Sequence, residues 1–331
     1  MTQAHAPEEL PAWLLPGWEW LNQSLASGRV PAALLIQGPQ GLGKTWLARV
    51  WAQKLLCQAS VHALPCGVCP SCLLFLAGNH PDYGLVEPVE PGKVIGVDAI
   101  RQLIHKLSLK PQYNGYRVVV IEPAHLLNIN AANALLKTLE EPSPYTLIIL
   151  ISAAPHKLPV TLLSRCQKLT LSRPDQQQAL DWLTARGVSQ NPHILLELAY
   201  GSPLTALGLD ETGHLQKRDR IIRELLEIRA GTQDPVQLAG QWEPLFNEEV
   251  IEWIMTGVNQ WIRLKLGLAS PVQDTARLTS PSDSGIEAIS IEALFGYWDF
   301  LIQTRQNIGH NLNTRLLVEA LLIRWQALES G

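Results

Sequence analysis

Residues Gly38-Pro39-Gln40-Gly41-Leu42-Gly43-Lys44-Thr45 fit the pattern G-x-x-x-x-G-K-[ST]. Each residue type has a use around a polyphosphate. Gly38, Gly41 and Gly43 let successive backbone N–H groups turn inward onto phosphate oxygens. Lys44 sets a cation against the β- and γ-phosphates, and Thr45 offers a hydroxyl to Mg²⁺. Hydrolysis needs more: an acidic residue at the end of a second strand for the Mg²⁺ shell, then a group that polarises water. The apolar run RVVVI is followed by Glu122, one methylene longer than aspartate, and then by Pro123, which has neither a carboxylate nor an N–H. The expectation is a chain able to hold ATP with Mg²⁺ that turns it over poorly or not at all by itself. The bland alternatives are a glycine-rich turn and a Glu122 that is only a surface charge.

Four of the five cysteines are clustered as C-x8-C-x2-C-x2-C: Cys57, Cys66, Cys69 and Cys72. The two overlapping C-x2-C steps in CGVCPSC bend at Gly67 and Pro70. Four thiolates close a tetrahedral sphere, so a metal here, with zinc the first choice, is structural and has no position for substrate. Unligated thiols or a redox pair are the alternative. Cys166 stands apart as a small core residue. Beside it, Arg165 follows a helical turn in LPVTLLSRC. It reads either as an arginine at the negative end of a helix or as a guanidinium aimed at a phosphate held by a neighbouring subunit.

These residues need a scaffold. ALLIQ (33–37), DYGLVEP (82–88), RVVVIE (117–122), TLIILIS (146–152) and QKLTL (167–171) are strand candidates. Between them, KTWLARVWAQKLL, VDAIRQLIHKLSL and NINAANALLKTLEEPSP have helical spacing, with Ile100, Leu103, Ile104 and Leu107 on one face and Ala132, Leu135, Leu136 and Leu139 on another. Strands apolar on both faces and alternating with helices predict a parallel sheet covered on both sides. The phosphate loop then lies between a strand and a helix whose positive end faces the anion. After Leu171 the pattern becomes helical, first a small lid, then an all-α region from about 211. A polar, Pro/Ser-rich loop is expected over 270–285.

Composition narrows the class. With 331 residues, 47% hydrophobic and 17% charged, the chain builds two or three packed domains. A net charge of −4 gives no global basic field, so DNA contact would be local or shared with partners. The start, MTQAHAPEELPAWLLPGWEW, is not a signal peptide, and no apolar run reaches the roughly 18 residues of a membrane span. The expected setting is reducing and cytoplasmic. Eleven tryptophans, among them Trp51, Trp182, Trp253, Trp261, Trp298 and Trp325, are expected at helix interfaces.

GPQGLGKT, CGVCPSC, NHPDYGLVEP, ANALLKTLEEP and LLSRC, in this order and at these spacings, resemble the delta-prime family of bacterial DNA polymerase III clamp-loader subunits, within the AAA+ class. The likeness runs from about residue 10 to the end and is strongest over 31–170. It implies an α/β AAA+ core over 1–168 carrying a zinc-binding insertion (57–72), a helical lid over 169–210 and a helical collar over 211–331. It implies zinc on Cys57, Cys66, Cys69 and Cys72, and an Arg165 that acts in trans on ATP of an adjacent motor subunit. The partners it implies are motor subunits and a clamp-opening delta subunit in a hetero-pentamer that places the sliding clamp on primed DNA, in the bacterial cytoplasm at the nucleoid. The nucleotide site carried over by the resemblance is Gly38, Gly41, Gly43, Lys44, Thr45, Glu122 and Ser152. Departures separate two family members. The intact loop is motor-like, whereas Pro123 in place of a glutamate and Leu204 in place of a sensor arginine favour the non-motor type over a gamma/tau-like ATPase; Ser152 occupies a polar sensor position that motors usually fill with threonine.

Overall fold

The computed structural model describes residues 10–59, 64–90, 92–108, 111–113, 115–188, 191–268, 286, 288–308 and 313–328. They fall into two compact units, one of 1–187 with 199–206 and one of 188–198 with 207–331. The loop expected over 270–285 lies outside the described residues.

The first unit is built on a parallel sheet of β1 (Ala33–Gln37), β2 (Tyr83–Val86), β3 (Arg117–Ile121), β4 (Thr146–Ser152) and β5 (Gln167–Thr170). Their spatial order is β2-β3-β4-β1-β5. The central strands are apolar on both faces because both are covered: every residue of β3 and β4 is buried. The edge strand β2 is shorter than DYGLVEP suggested and only partly buried, since one of its sides has no ladder partner. Leu34, Ile36, Val118, Val120, Leu147, Ile149 and Ile151 point to one cluster, and Leu35, Val119, Ile121, Ile148 and Leu150 to the other. This is the period-two alternation of strands sandwiched between helices.

The helices form where capping and periodicity agree. α1 (Leu15–Ala26) and α2 (Lys44–Leu56) lie over the first face, with Trp18 edge-on to Trp51 at 5.9 Å between ring centres. α3 (Pro70–Leu76) joins them, and its Phe75 packs 4.6 Å from Tyr83. On the other face, α4 (Val97–Ser108) buries Ile100, Leu103 and Leu107. There α5 (Ile129–Glu140) starts at Asn128, whose side chain accepts from the Ala131 N–H at 2.8 Å. A cap of this kind contributes about 1 kcal/mol. The short α6 (Val160–Leu163) sets Leu162 into the same core. The first unit extends past 168 to Gly187, including α7 (Gln176–Ala185), and takes back Ala199–Ala206. Trp182 is edge-on to Trp13 at 5.3 Å, and Arg186 lies over the Trp46 and Trp182 rings, which explains the extension.

A buried polar knot fixes the start of β2. Asp82 is 1% exposed and accepts from the Gln112 and Tyr113 N–H groups at 3.0–3.1 Å and from Arg117 Nη2 at 3.3 Å. His80 Nδ1 accepts from the Asp82 N–H, so Nε2 carries the proton and donates to Ser71 Oγ at 2.8 Å. Ser71 in turn donates to the Leu56 carbonyl. Burial holds the His80 pKa below its ordinary value, in keeping with a neutral ring. Asp82→Ala removes the buried acceptor of the Gln112 and Tyr113 N–H groups, so unfolding experiments should read a loss of about 2–3 kcal/mol, the scale for leaving buried donors unsatisfied; Asp82→Asn should recover part of it.

The second unit is helical. α10 (His214–Arg229), α11 (Pro235–Trp242), α12 (Glu248–Lys265), α13 (Ile291–Asn307) and α14 (Thr314–Gln326) follow α8 (Pro192–Leu198) and α9 (Pro203–Glu211), whose first turn belongs to the first unit. Asp234, Asn247, Ser290 and Asn313 each cap the helix that follows. Trp261 and Trp325 stack at 5.1 Å in the core, and Trp325 Nε1 donates to the Leu225 carbonyl at 2.8 Å. Packing accounts for both tryptophans, and Trp325 also has a partner for its indole N–H.

Candidate functional site

The strand order brings three of the expected residues together. β1, β4 and β3 end side by side, with Gln37 opposite Ser152 and Ile121 opposite Leu150. The residues that leave these strand ends are Gly38, Ser152 and Glu122, at the carboxyl edge where parallel sheets bind ligands. The Gly38 N–H donates to the Ser152 carbonyl at 3.3 Å, so Ser152 also tethers the start of the loop.

Within the loop, Gly41 and Gly43 have φ +73° and +86°, conformations that a side chain would strain. A Cβ on Gly41 would stand 2.0 Å from Thr205 Oγ1, and one on Gly38 would stand 2.4 Å from the Leu171 carbonyl. The glycines therefore serve close approach as well as curvature. The Leu204 N–H donates to the Gly41 carbonyl at 3.1 Å, and Leu14 and Leu204 pack beside Gly43. Trp13 Nε1 donates to the Leu42 carbonyl at 3.0 Å.

The side chains of Lys44 and Thr45 have protein partners. Lys44 Nζ donates to the Pro39 carbonyl at 2.5 Å, and Thr45 Oγ1 donates to Glu122 Oε1. Lys44 is 8% exposed, and burial lowers its pKa against the opposing pull of Glu122. Burial raises the Glu122 carboxyl, and the Thr45 hydrogen bond offsets part of that rise. Glu122 thus faces the loop and is no stray surface charge. Pro123 follows it and opens a short 3-10 turn over Ala124–Leu126. Ser152 Oγ lies 3.4 Å from His125 Nδ1 and accepts from the Ala154 N–H. His125 had no sequence signal beyond its place three residues after Glu122; burial and the nearby lysines Lys157 and Lys44 depress its pKa.

The four cysteines converge. The Sγ atoms of Cys57, Cys66, Cys69 and Cys72 all lie within 4.8 Å of one another, a cluster able to hold a metal ion. Cys57–Cys66 is 3.5 Å and Cys66–Cys72 is 3.9 Å. Four sulfurs about 2.3 Å from a tetrahedral zinc would stand about 3.8 Å apart, so the donor set and spacing fit that ion. The Val68 and Cys69 N–H groups pull the Cys66 thiol down to about 6, while burial pushes Cys72 up. Cys57 sits where α2 ends, and Cys69 and Cys72 sit at the start of α3. Cys166 is apart from the cluster and buried, and burial raises its pKa to about 11.

Arg165 follows α6 at a different part of the core. Its Nε donates to Glu140 Oε1 at 2.9 Å, Nη2 donates to the same oxygen, and Nη1 donates to the Thr161 carbonyl at 2.8 Å. The bond to Thr161 realises the helix-end reading. The Arg165 side chain nevertheless stays one-third exposed.

A phosphate loop at the switch point of a five-stranded parallel sheet, an arginine after a short helix and a four-cysteine cluster define an AAA+-type P-loop protein of the clamp-loader kind. The chain matches the family models described as "DNA polymerase III, delta subunit" over 17–175 and "DNA polymerase III, delta subunit, C terminal" over 212–327. It is 35% identical to the DNA polymerase III subunit delta' of Pseudomonas aeruginosa over 94% of this chain and 97% of that protein. With the Escherichia coli K12 subunit delta' the identity is 39%, over 94% of each. The tau subunit of Escherichia coli K12 is 28% identical and is matched over only 51% of its length. A crystal structure of a DNA polymerase III gamma subunit-related protein from Thermotoga maritima shares the fold, with a TM-score of 0.52 at 17% identity, over 95% of this chain and 98% of that one. The chain belongs to the DNA polymerase III delta' subunit family. Over comparable shares of this chain, the delta' chains are 35 and 39% identical against 28% for that tau chain, which favours the non-motor type. Among the described residues no helix is long and apolar enough to cross a membrane.

Proposed function

We propose that this chain is the non-motor subunit of a hetero-pentameric clamp loader and contributes chemistry to a neighbour's ATP through Arg165. The observation that carries this reading is a contrast between two sites. The chain's own loop has Lys44, Thr45 and Glu122 paired with one another's surroundings, and Pro123 stands where a water-polarising group belongs. Arg165, by contrast, is held at a helix end with one-third of its side chain exposed to solvent. A guanidinium so placed stabilises charge on a transferring γ-phosphoryl group.

The remaining parts follow from that role. Gly38, Gly41, Gly43, Lys44, Thr45, Glu122 and Ser152 would hold ATP with Mg²⁺ if it binds here, with a structural effect. Zinc on Cys57, Cys66, Cys69 and Cys72 would brace the joint between α2 and α3. Residues 1–168 would be the AAA+ core, 169–210 the lid and 211–331 a collar that meets motor subunits and a clamp-opening delta subunit. The complex would load a sliding clamp onto primer-template DNA in the cytoplasm, at the nucleoid.

Reconstitution tests this. A mixture of motor and delta subunits should load clamps poorly until this chain is added. The chain alone should turn over ATP far below about 1 s⁻¹, the low end of ordinary phosphoryl-transfer rates. Full loading without it, or rapid turnover by it alone, would overturn the proposal.

A further inference from the structure

Arg165 could have been left to solvent, but three of its N–H groups are engaged by two short stretches of chain. Its Nε and Nη2 both donate to Glu140 Oε1, and Nη1 donates to the Thr161 carbonyl at 2.8 Å, with Ser164 Oγ at 3.5 Å. Glu140 is the last residue of α5, directly after the buried Leu139; Thr161 precedes the buried Leu162 of α6, and Cys166 after Arg165 is also buried. Leu139, Leu162 and Cys166 belong to one core cluster. The carboxylate and the guanidinium are therefore each mounted on backbone fixed by its immediate neighbour. The bridge has its Arg165 side chain 33% and its Glu140 side chain 49% exposed. Exposed pairs of this kind add little to stability, so a grip on three donors is more useful for geometry than for folding.

We infer that Glu140 is a positioning residue for Arg165, fixing the guanidinium so that its remaining Nη hydrogens face an incoming phosphate. The inference rests on the proposed role of Arg165 in trans. An unrestrained arginine samples many rotamers and must be ordered each time the neighbouring site closes. Glu140 and the Thr161 carbonyl supply that order beforehand, and preorganised donors stabilise developing charge without reorganising in the reaction. Both donors on the Glu140 side use one oxygen, so the acceptor atom does the holding and the second carboxylate oxygen is not needed. Glutamine presents the same acceptor without the charge.

The test has two arms. In the isolated chain, the Arg165 Nε–H signal in ¹⁵N NMR should be protected from exchange and should lose that protection in Glu140→Ala. An unchanged signal means that the bridge does not form and overturns the inference. In the reconstituted loader, Glu140→Ala should slow clamp- and DNA-stimulated hydrolysis by about fivefold to tenfold, within the range expected of a misplaced reacting group. Glu140→Gln should stay within about twofold of wild type, because it keeps the acceptor. Glu140→Ala combined with Arg165→Ala should be no slower than Arg165→Ala alone. A wild-type rate for Glu140→Ala, a faster one, or additive losses in the double variant would each overturn the positioning role. If Arg165→Ala itself has no effect, the failure lies with the trans reading, and the inference falls with it even where the NMR arm shows the bridge.

Discussion

Arg165→Ala should leave the loader assembled and slow hydrolysis at the adjacent motor site by about 10³-fold, the lower end of the effect of supplying an arginine in trans. That is about 4 kcal/mol of transition-state stabilisation. The side chain contributes little to folding by comparison. Its bridge to Glu140 is exposed, and α5 and α6 are held by Leu135, Leu139 and Leu162 rather than by the guanidinium. A melting curve close to wild type should therefore accompany the lost rate. Arg165→Lys should not rescue it. An ammonium lacks the planar fork that binds Glu140 Oε1 through Nε and Nη2 while still offering donors to a phosphate. The measurement is phosphate release in the presence of clamp and primed DNA. A rate equal to wild type would remove the arginine from the mechanism and leave its bonds to Thr161 and Glu140 to explain it.

Metal removal should have the second large effect. Purified chain is expected to carry one zinc, and stripping it should lower the melting temperature of the first unit by roughly 10 °C. Structural zinc in small domains contributes far more, about 10–16 kcal/mol, but here the segment has other anchors. Ser71 bonds to the Leu56 carbonyl and to His80, and Phe75 packs on Tyr83. Those contacts hold the segment without the metal, so a smaller loss, about 3 kcal/mol, is expected, and at a few degrees per kcal/mol it gives the stated shift. Cys66→Ser should reproduce the effect without chelator. Protein that purifies without metal and melts unchanged with chelator would reassign the four cysteines to plain thiols.

The elements were readable in proportion to their burial. β1 and β4 match ALLIQ and TLIILIS to the residue, because both faces are covered and an apolar run ends where the cover ends. The edge strand β2 was overrun at both ends, since a half-exposed strand tolerates polar neighbours and carries no sharp boundary. Asn128 announced α5 through its side chain, a local signal. The site was legible where function needs fixed spacing, as in GPQGLGKT and CGVCPSC. It was not legible where partners meet through the fold. Glu140 lies 25 residues from Arg165, and nothing in LEEP says which acid bonds an arginine. Thr205 against Gly41 and His125 beside Ser152 are likewise contacts of tertiary origin. The stretch 169–210 reads as one helical lid, and the tryptophan contacts and the Leu204 hydrogen bond, which join parts of it to the first unit, are again of tertiary origin.

The contacts around the phosphate loop also set a toll on nucleotide entry. ATP must exchange the Lys44–Pro39 and Thr45–Glu122 hydrogen bonds for its own oxygens and Mg²⁺, and must fit beside Leu14, Leu204 and Thr205. If only a fraction of molecules present an open loop, the apparent dissociation constant rises by the inverse of that fraction; an open population of about 1% makes binding about a hundredfold weaker. A complete signature can thus coexist with low occupancy at cellular ATP, and a neighbour with the same eight residues and a free lysine would fill first. In the proposed complex, occupancy would then be graded by how each loop is partnered within its own chain, subunit by subunit.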